Sequence, residues 1–323
     1  MGHPGKLVLG AVIAMQACVA AAQAWPAKPI RLIVGFPPGG GADGVARPIA
    51  DALGRHLGQP VIVENKPGGG TTIAAAAAAT AAPDGYTLYM SNGAHYGSLQ
   101  ALYKGFRHGP NDHTPITRWT TAPLVLAVSN DLGVKSVAEL IAKAKAQPGK
   151  LNYSSSGVGG GTHLPGLMFA QGAGVDILHV PYKGGAQALQ GLVTGEAQMS
   201  FATPPSVLPL ARGERLKVIA VTSPERSPLF PELPTVAEGG VPGYSYTFWF
   251  GLFGPAGLPE PIVAKLFEAS RKVLADPELV EKLVASGNEP APSASVSQFR
   301  EWAKQDGERS RKLTIASGAV GSN

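Results

Sequence analysis

One cysteine, Cys18, stands in 323 residues. A single thiol excludes a disulfide framework and a multi-thiolate metal site. It also falls inside a stretch that reads as an export leader. Lys6 gives a positive start, residues 7–15 an apolar core, and Ala22-Gln23-Ala24 a small-residue cleavage site before Trp25. Cleavage after Ala24 leaves a chain free of cysteine, whose stability rests on its apolar core. Met15 and Gln16 fit poorly before a lipidated cysteine, which argues against a lipoprotein. Long apolar runs are missing too, so the mature chain is expected to be soluble and periplasmic.

Charge is sparse. The chain carries 27 basic and 22 acidic residues, one of the basic ones in the leader, and charged residues make up 15% of it. No Lys/Arg-rich run exists, so the mild positive excess describes a solvated surface and not a nucleic-acid footprint. No G-x-S-x-G elbow frames Ser154, Ser155 or Ser156 as a nucleophile. His95, His163 and His179 lack a ligand spacing such as H-E-x-x-H. No catalytic residue, metal or cofactor is therefore expected.

Glycine is abundant, with 42 residues, and its placing is informative. Residues 30–44 read IRLIVGFPPGGGADG. Ile30, Leu32, Ile33 and Val34 make a buried-strand run, Pro37-Pro38 ends it, and from Asp43 a helical pattern begins with Val45, Ile49, Ala52 and Leu53 on one face. Strand, glycine loop and helix start together place free backbone N–H groups and the positive end of a helix dipole at one spot. Such a spot holds a carboxylate or phosphate without a basic side chain.

Further along, strands are expected at 61–64, 86–90, 124–128, 151–154, 176–180, 198–203 and 216–222. Helices are expected between them: 73–82 capped by Thr71, one from a capping box at Ser136 and Glu139 to about Gln147, and two near 187–193 and 206–212. Residues 99–119 look irregular, with Gly105, Gly109, Pro110 and Pro115. Pro48 lies deep in the first helix, where it costs about 3 kcal/mol unless the first turn is irregular. Alternating strands and helices imply parallel sheets with binding crevices at the strands' carboxyl ends, where residues 39–41 and 91–95 would lie.

Residues 154–164, SSSGVGGGTHL, repeat the opening arrangement with added hydroxyls. Two such units suggest two lobes closing on one ligand. The aromatic run 244–253 is expected to return the chain to the first lobe. Three helices follow: 261–274, one capped by Asp276-Pro277 up to Gly287, and one opened by Ser295 and Gln298 that ends near Gly318. The expected division is leader 1–24, lobe one 25–122 with 245–323, and lobe two 123–244. Phe36, Tyr96, Trp249 and Phe250 are candidates for an aromatic wall, with a core role the alternative.

The ordered motifs WPAKPIRLIVGFPPGGGADGVAR, GQPVIVENKPGGG, PDGYTL, PGKLNYSSSGVGGGTHL, HVPYKGGAQAL, LKVIAVTSPERSPLFPELPTVAE and WFGLFGPAGLP span nearly all of residues 26–318. Together they resemble the Bug family of periplasmic solute-binding proteins of tripartite tricarboxylate transporters. The resemblance implies an α/β, two-lobed periplasmic-binding-protein fold, type II-like, with the ligand cleft between the lobes. It also implies a monomeric receptor that holds a small carboxylate and hands it to membrane transporter subunits. The implied gripping residues are Phe36, Gly40, Gly41, Ala42 and Asp43, with Ser156, Gly159, Gly160 and Thr162. Asn92 and His95 after the third strand, Tyr182 (with Lys183 beside it) and Thr203 complete the candidate set. Ala42, Gly160 and the Ala202-Thr203 pair stand where the family usually offers more polar side chains. That argues against an amino-acid ligand, whose ammonium needs an acidic partner, and for a di-, tri- or aromatic carboxylate.

Two other readings stand beside this one. Residues 39–44 match G-x-G-x-x-G, with Glu64 ending the next strand, which is a dinucleotide-enzyme signature. Against it, Pro37-Pro38 separates the strand from the glycines, and an exported protein meets little nicotinamide cofactor. A ligand-loaded sensor partner of a membrane receptor is the second.

Overall fold

The computed structural model describes residues 25–158 and 161–316. The leader with Cys18, the loop glycines Gly159 and Gly160, and the expected helix end near Gly318 lie outside the described residues. Within them the first strand, β1 (Ile30–Val34), is buried at four of its five positions, because it lies between two parallel neighbours. Helix α1 (Gly41–Leu57) buries Ala42, Val45, Ala46, Ile49 and Leu53 along one stripe, and runs unbroken through Pro48. Strand β2 (Val61–Asn65), helix α2 (Thr72–Ala79), strand β3 (Thr87–Ser91) and the short helix α3 (Ser98–Leu102) follow.

Thr71 does not cap α2. Gly68, Gly69 and Gly70 all take positive φ and carry Thr71 to φ 90°, where its hydroxyl makes no capping bond. Residues 99–119 are also more regular than their glycines and prolines suggest, since strand β4 (His113–Pro123) runs through Pro115. Pro115 pairs with Phe253 on one side only, and the single neighbour on the other side, a two-residue strand, reaches just Thr120 and Thr121. The missing N–H of Pro115 therefore faces no ladder partner.

The second unit comprises β5 (Val125–Val128), α4 (Val137–Ala146), β6 (Leu151–Ser155), α5 (Leu164–Ala173), β7 (Ile177–Pro181), α6 (Gly185–Val193), β8 (Met199–Ala202), α7 (Pro204–Arg212) and β9 (Lys217–Val221). Ser136 caps α4 by accepting the Glu139 N–H at 3.2 Å, and the Glu139 carboxylate accepts from Lys135 N–H, one residue earlier than a standard capping box. The chain then returns through β10 (Thr247–Pro255) and finishes with α8 (Glu260–Leu274), α9 (Pro277–Ala285), β11 (Glu289–Pro290) and α10 (Val296–Ala316). Asp276 caps α9, and Ser295 accepts from Gln298 N–H at the start of α10.

Two sheets result, in the orders β11-β4-β10-β3-β1-β2 and β7-β6-β8-β5-β9. Both are mixed and not parallel throughout. β10 runs antiparallel to β3 and β4, and β5 runs antiparallel to β8 and β9. The antiparallel strands are the ones reached by crossing between sheets, so they arrive from the opposite direction. The protein has two lobes, each built on one sheet.

The crossovers are knitted together at Thr222. Its N–H and hydroxyl donate to Leu124 O, its hydroxyl accepts the Leu124 N–H at 2.8 Å, and its carbonyl accepts Tyr246 N–H at 2.8 Å. Both Leu124 and Thr222 are fully buried. Thr222→Val keeps the shape but strands a buried N–H, so urea denaturation is expected to show a loss of about 1–3 kcal/mol. A loss within experimental error would show that water or a shifted backbone replaces the bond.

Candidate functional site

Between the two sheets lies a cavity of about 210 Å³. Phe36, Pro37, Gly40, Gly41 and Ala42 line it from the first lobe. Ser156, Thr162, Gly184, Gly185, Thr203 and Ser206 line it from the second. Phe248 and Phe250 close it from β10, with Phe250 edge-on to Phe248 at 4.9 Å and to Phe36 at 6.3 Å. No Asp, Glu, Lys or Arg is among these residues.

The polar character of the cavity comes from backbone and hydroxyls. Helix α1 starts at Gly40-Gly41 and helix α6 at Gly184-Gly185, and neither start has a side-chain cap. First-turn N–H groups without a cap need an acceptor, and the dipole of each helix favours a negative one. Helix α7 contributes differently. Pro204 and Pro205 have no N–H, and its offering is the hydroxyl pair Thr203 and Ser206, 3.0 Å apart. Ser156 and Thr162 form a second pair at 2.8 Å, with Thr162 Oγ1 also accepting the Ser156 N–H at 2.8 Å. The cavity offers an anion donors from both lobes and offers a cation no acidic partner.

Of the candidate residues, Phe36, Gly40, Gly41, Ala42, Ser156, Thr162 and Thr203 come together on this wall. Gly159 and Gly160 lie outside the described residues. Asp43, Asn92, His95 and Tyr182 are placed elsewhere. The Asp43 carboxylate is buried and turned back into its own lobe. It accepts from Gly39 N–H at 2.9 Å, Arg47 Nε at 2.8 Å and Asn65 Nδ2 at 3.0 Å, and Asn65 Nδ2 also donates to Phe36 O. Burial alone would raise its pKa, but bonds from Arg47, Gly39 and Asn65 outweigh this and hold the carboxyl below its usual value. Asp43 thus shapes the 36–42 loop from behind.

Asn92 lines a separate space of only about 30 Å³, beside Gly161 and Trp249. His95 is fully buried on the other face of the first sheet, edge-on to Tyr96 and Phe253, with Nδ1 2.9 Å from Ser91 Oγ. Tyr182 lies with its phenol against Gly191, and burial followed by the nearby Glu196 pushes its pKa up to about 12. Tyr96 and Trp249 also point away from the cavity, because alternate residues of β10 face opposite sides. Phe248, Gly185, Gln187 and Ser206 line the wall without standing out in the sequence. Gly184-Gly185 after a strand end is the one signal that marks them.

Beneath the 156–162 loop His163 and His179 stack with ring centres 4.1 Å apart, and Tyr153 stacks on His179 at 4.8 Å. His179 Nε2 lies 2.7 Å from Ser155 Oγ. Burial holds His163 down to about 4, and burial with the neighbouring His163 holds His179 down to about 3. Both rings are neutral when folded and charge on unfolding once the pH is below 6.5. Their contribution to stability is complete above about pH 6.5 and is lost as the pH falls toward the folded values. Each ring is expected to add about 1.4 kcal/mol per pH unit to the slope between roughly pH 6 and pH 4. Urea midpoints across that range test this, and His179→Gln is expected to flatten the slope. An unchanged slope would contradict the assignment.

The model of the tripartite tricarboxylate transporter family receptor, TctC, matches residues 45–318. The UPF0065 protein in the tcbD-tcbE intergenic region of Pseudomonas sp. (strain P51) is 33% identical over 314 residues, covering 96% of this chain and 93% of its own. Among solved structures, R. palustris Rpa4515 with adipate superposes with a TM-score of 0.87 at 33% identity, over 92% of this chain and 99% of that one. MatC from Rhodopseudomonas palustris with bound malate superposes at 0.83 and 30% identity, over 90% and 100%.

Proposed function

The chain belongs to the TctC family of tripartite tricarboxylate transporter receptors, and on that premise we propose that it is a periplasmic receptor for a small carboxylate. The family is one of solute-binding receptors, and its proteins are periplasmic binding proteins. One observation carries the reading: an enclosed cavity between two lobes, with uncapped helix starts on both sides and no charged side chain in its wall.

The mechanism is a shift of population between open and closed forms. A carboxylate that accepts from Gly40–Ala42 on one side and from Gly184–Ala186 on the other makes both sets of contacts only when the lobes are closed. Closure removes water and strengthens each of those bonds. The crossovers at Thr222 act as the hinge. Phe36, Phe248 and Phe250 take the apolar remainder of the solute. No bond is broken, and the loaded protein delivers its solute, as a monomer, to the membrane subunits of a tripartite tricarboxylate transporter. The adipate and malate in the related structures are both dicarboxylates, which supports the same ligand class here.

A thermal-shift screen of the purified protein against carboxylic acids tests the proposal. Binding to the folded state raises the melting temperature by mass action, by about 2.7 kcal/mol of stability at a hundredfold excess over Kd. A saturable rise with at least one acid is expected. No rise with any acid, together with a rise on adding a dinucleotide, would overturn the proposal.

A further inference from the structure

The cavity does not end at Phe36. A second, more open chamber of about 650 Å³ adjoins it and shares Phe36, Pro37, Ser156 and Gln187 as common walls. The outer chamber is also built from both lobes. Gly68–Thr71 and Tyr103 bound it from the first, and Gly157, Val158, Tyr182 and Lys183 from the second. Tyr103 Oη donates to Val158 O at 3.3 Å across the gap, so its rim forms when the lobes meet. The two chambers together form one bent cleft.

Their chemistry differs in one respect. The inner wall has no charged side chain, while among the described residues the outer wall has one, Lys183, and no carboxylate opposes it. Lys183 is exposed and enters no ion pair among the described residues. Its backbone N–H donates to Gln187 Oε1 at 3.2 Å, which ties the lysine to the residue standing at the junction of the chambers.

We propose, resting on the carboxylate-receptor reading, that the solute is an elongated dianion that spans both chambers. One carboxylate lies among the helix-start amides of the inner chamber. An apolar spacer passes Phe36 and Pro37, and the second anionic group meets the Lys183 ammonium in the outer chamber. A linear or aromatic α,ω-dicarboxylate has this form. A short monoacid fills the inner chamber only and leaves Lys183 in water.

Calorimetric titration of the protein with matched pairs of linear acids tests this, each pair comprising a diacid and the monoacid of the same length. The wild-type protein is expected to prefer the diacid by about tenfold once the chain is long enough to reach Lys183, with no preference for the shortest pair. In Lys183→Gln that ratio is expected to fall to about twofold or less. The ratio is the readout, so a general loss of affinity in the variant does not imitate the result. Equal affinities within every wild-type pair, or a preference that survives Lys183→Gln, overturns the dianion assignment and leaves carboxylate binding standing. A wild-type protein that binds no acid of either kind overturns the receptor reading and this proposal together.

Discussion

Gly41→Asp abolishes solute binding, with an expected loss of at least about a hundredfold, or roughly 2.7 kcal/mol. The ligand-free melting temperature is expected to stay within about 2 °C of wild type. A Cβ at position 41 overlaps the Thr203 hydroxyl, and lies 3.2 Å from Ser206 Oγ and 3.3 Å from Thr203 Cβ. All three atoms belong to the opposite lobe, so the added side chain blocks closure and not folding. Gly41 has no positive φ and opens α1, where an aspartate is favoured by the helix dipole. The new carboxylate also occupies the amides meant for the ligand. Gly41→Ala carries the steric part alone and is expected to lose less. Titration of both variants with an acid that binds the wild type checks this. Retained affinity in Gly41→Asp would move the site elsewhere.

Gly97→Ala is expected to destabilise the protein by about 3 kcal/mol or more without touching the cleft. Here the obstruction is backbone. A Cβ at Gly97 overlaps the Gly307 carbonyl oxygen, lies 2.8 Å from Gly307 C and 3.1 Å from Arg311 N. Helix α10 crosses residues 96–97 at this point, through Gly307, and Gly307 in turn meets Tyr96. Neither glycine has a flexible partner that can yield. Helix α10 must lift, and its buried Phe299 and Ala303 lose their packing against the first sheet. Arg309, which donates to Ser245 O on the return crossover, moves with it. Urea denaturation measures the loss, and a change below about 1 kcal/mol would show that α10 is not seated as described.

Much of this architecture is legible in the residue pattern, for physical reasons that also explain the gaps. The run at residues 30–34 is apolar at nearly every position because β1 has a parallel neighbour on each side. The return of residues 244–253 to the first lobe follows from their extended aromatic character, and they form β10 between β3 and β4. The strand through Pro115 is not legible. Whether a proline is tolerated depends on which side of the strand lacks a partner, which is a tertiary fact. Mixed sheets escape for the same reason, since strand direction is set by which lobe the chain comes from.

The site shows the same division. The 36–42 loop announces itself through proline, glycine and a following helix. Gly184-Gly185 carries the same signal more faintly, overshadowed by the charged and aromatic Tyr182-Lys183 just before it. Asp43 is conspicuous as a carboxylate beside the glycines, yet it faces inward because Arg47, one helical turn on, and Asn65 at the end of β2 claim its oxygens. The Asp43–Arg47 spacing is readable as a helical pair. The contribution of Asn65, 22 residues away, needs the sheet that brings β1 and β2 together. Phe248 escapes because alternation along β10 decides which of three successive aromatics meets the cleft.

The central claim is that N–H groups and hydroxyls from both lobes receive a negatively charged group. Calorimetric titration of the wild-type protein with its tightest carboxylic acid and with the corresponding primary amide tests it most directly. The two differ little in shape, but only the acid is an anion that accepts at both oxygens. The acid is expected to bind one to one, and the amide at least about a hundredfold more weakly. Equal affinity for both would contradict the account, because a cavity built to receive an anion cannot treat a neutral donor group as its equivalent.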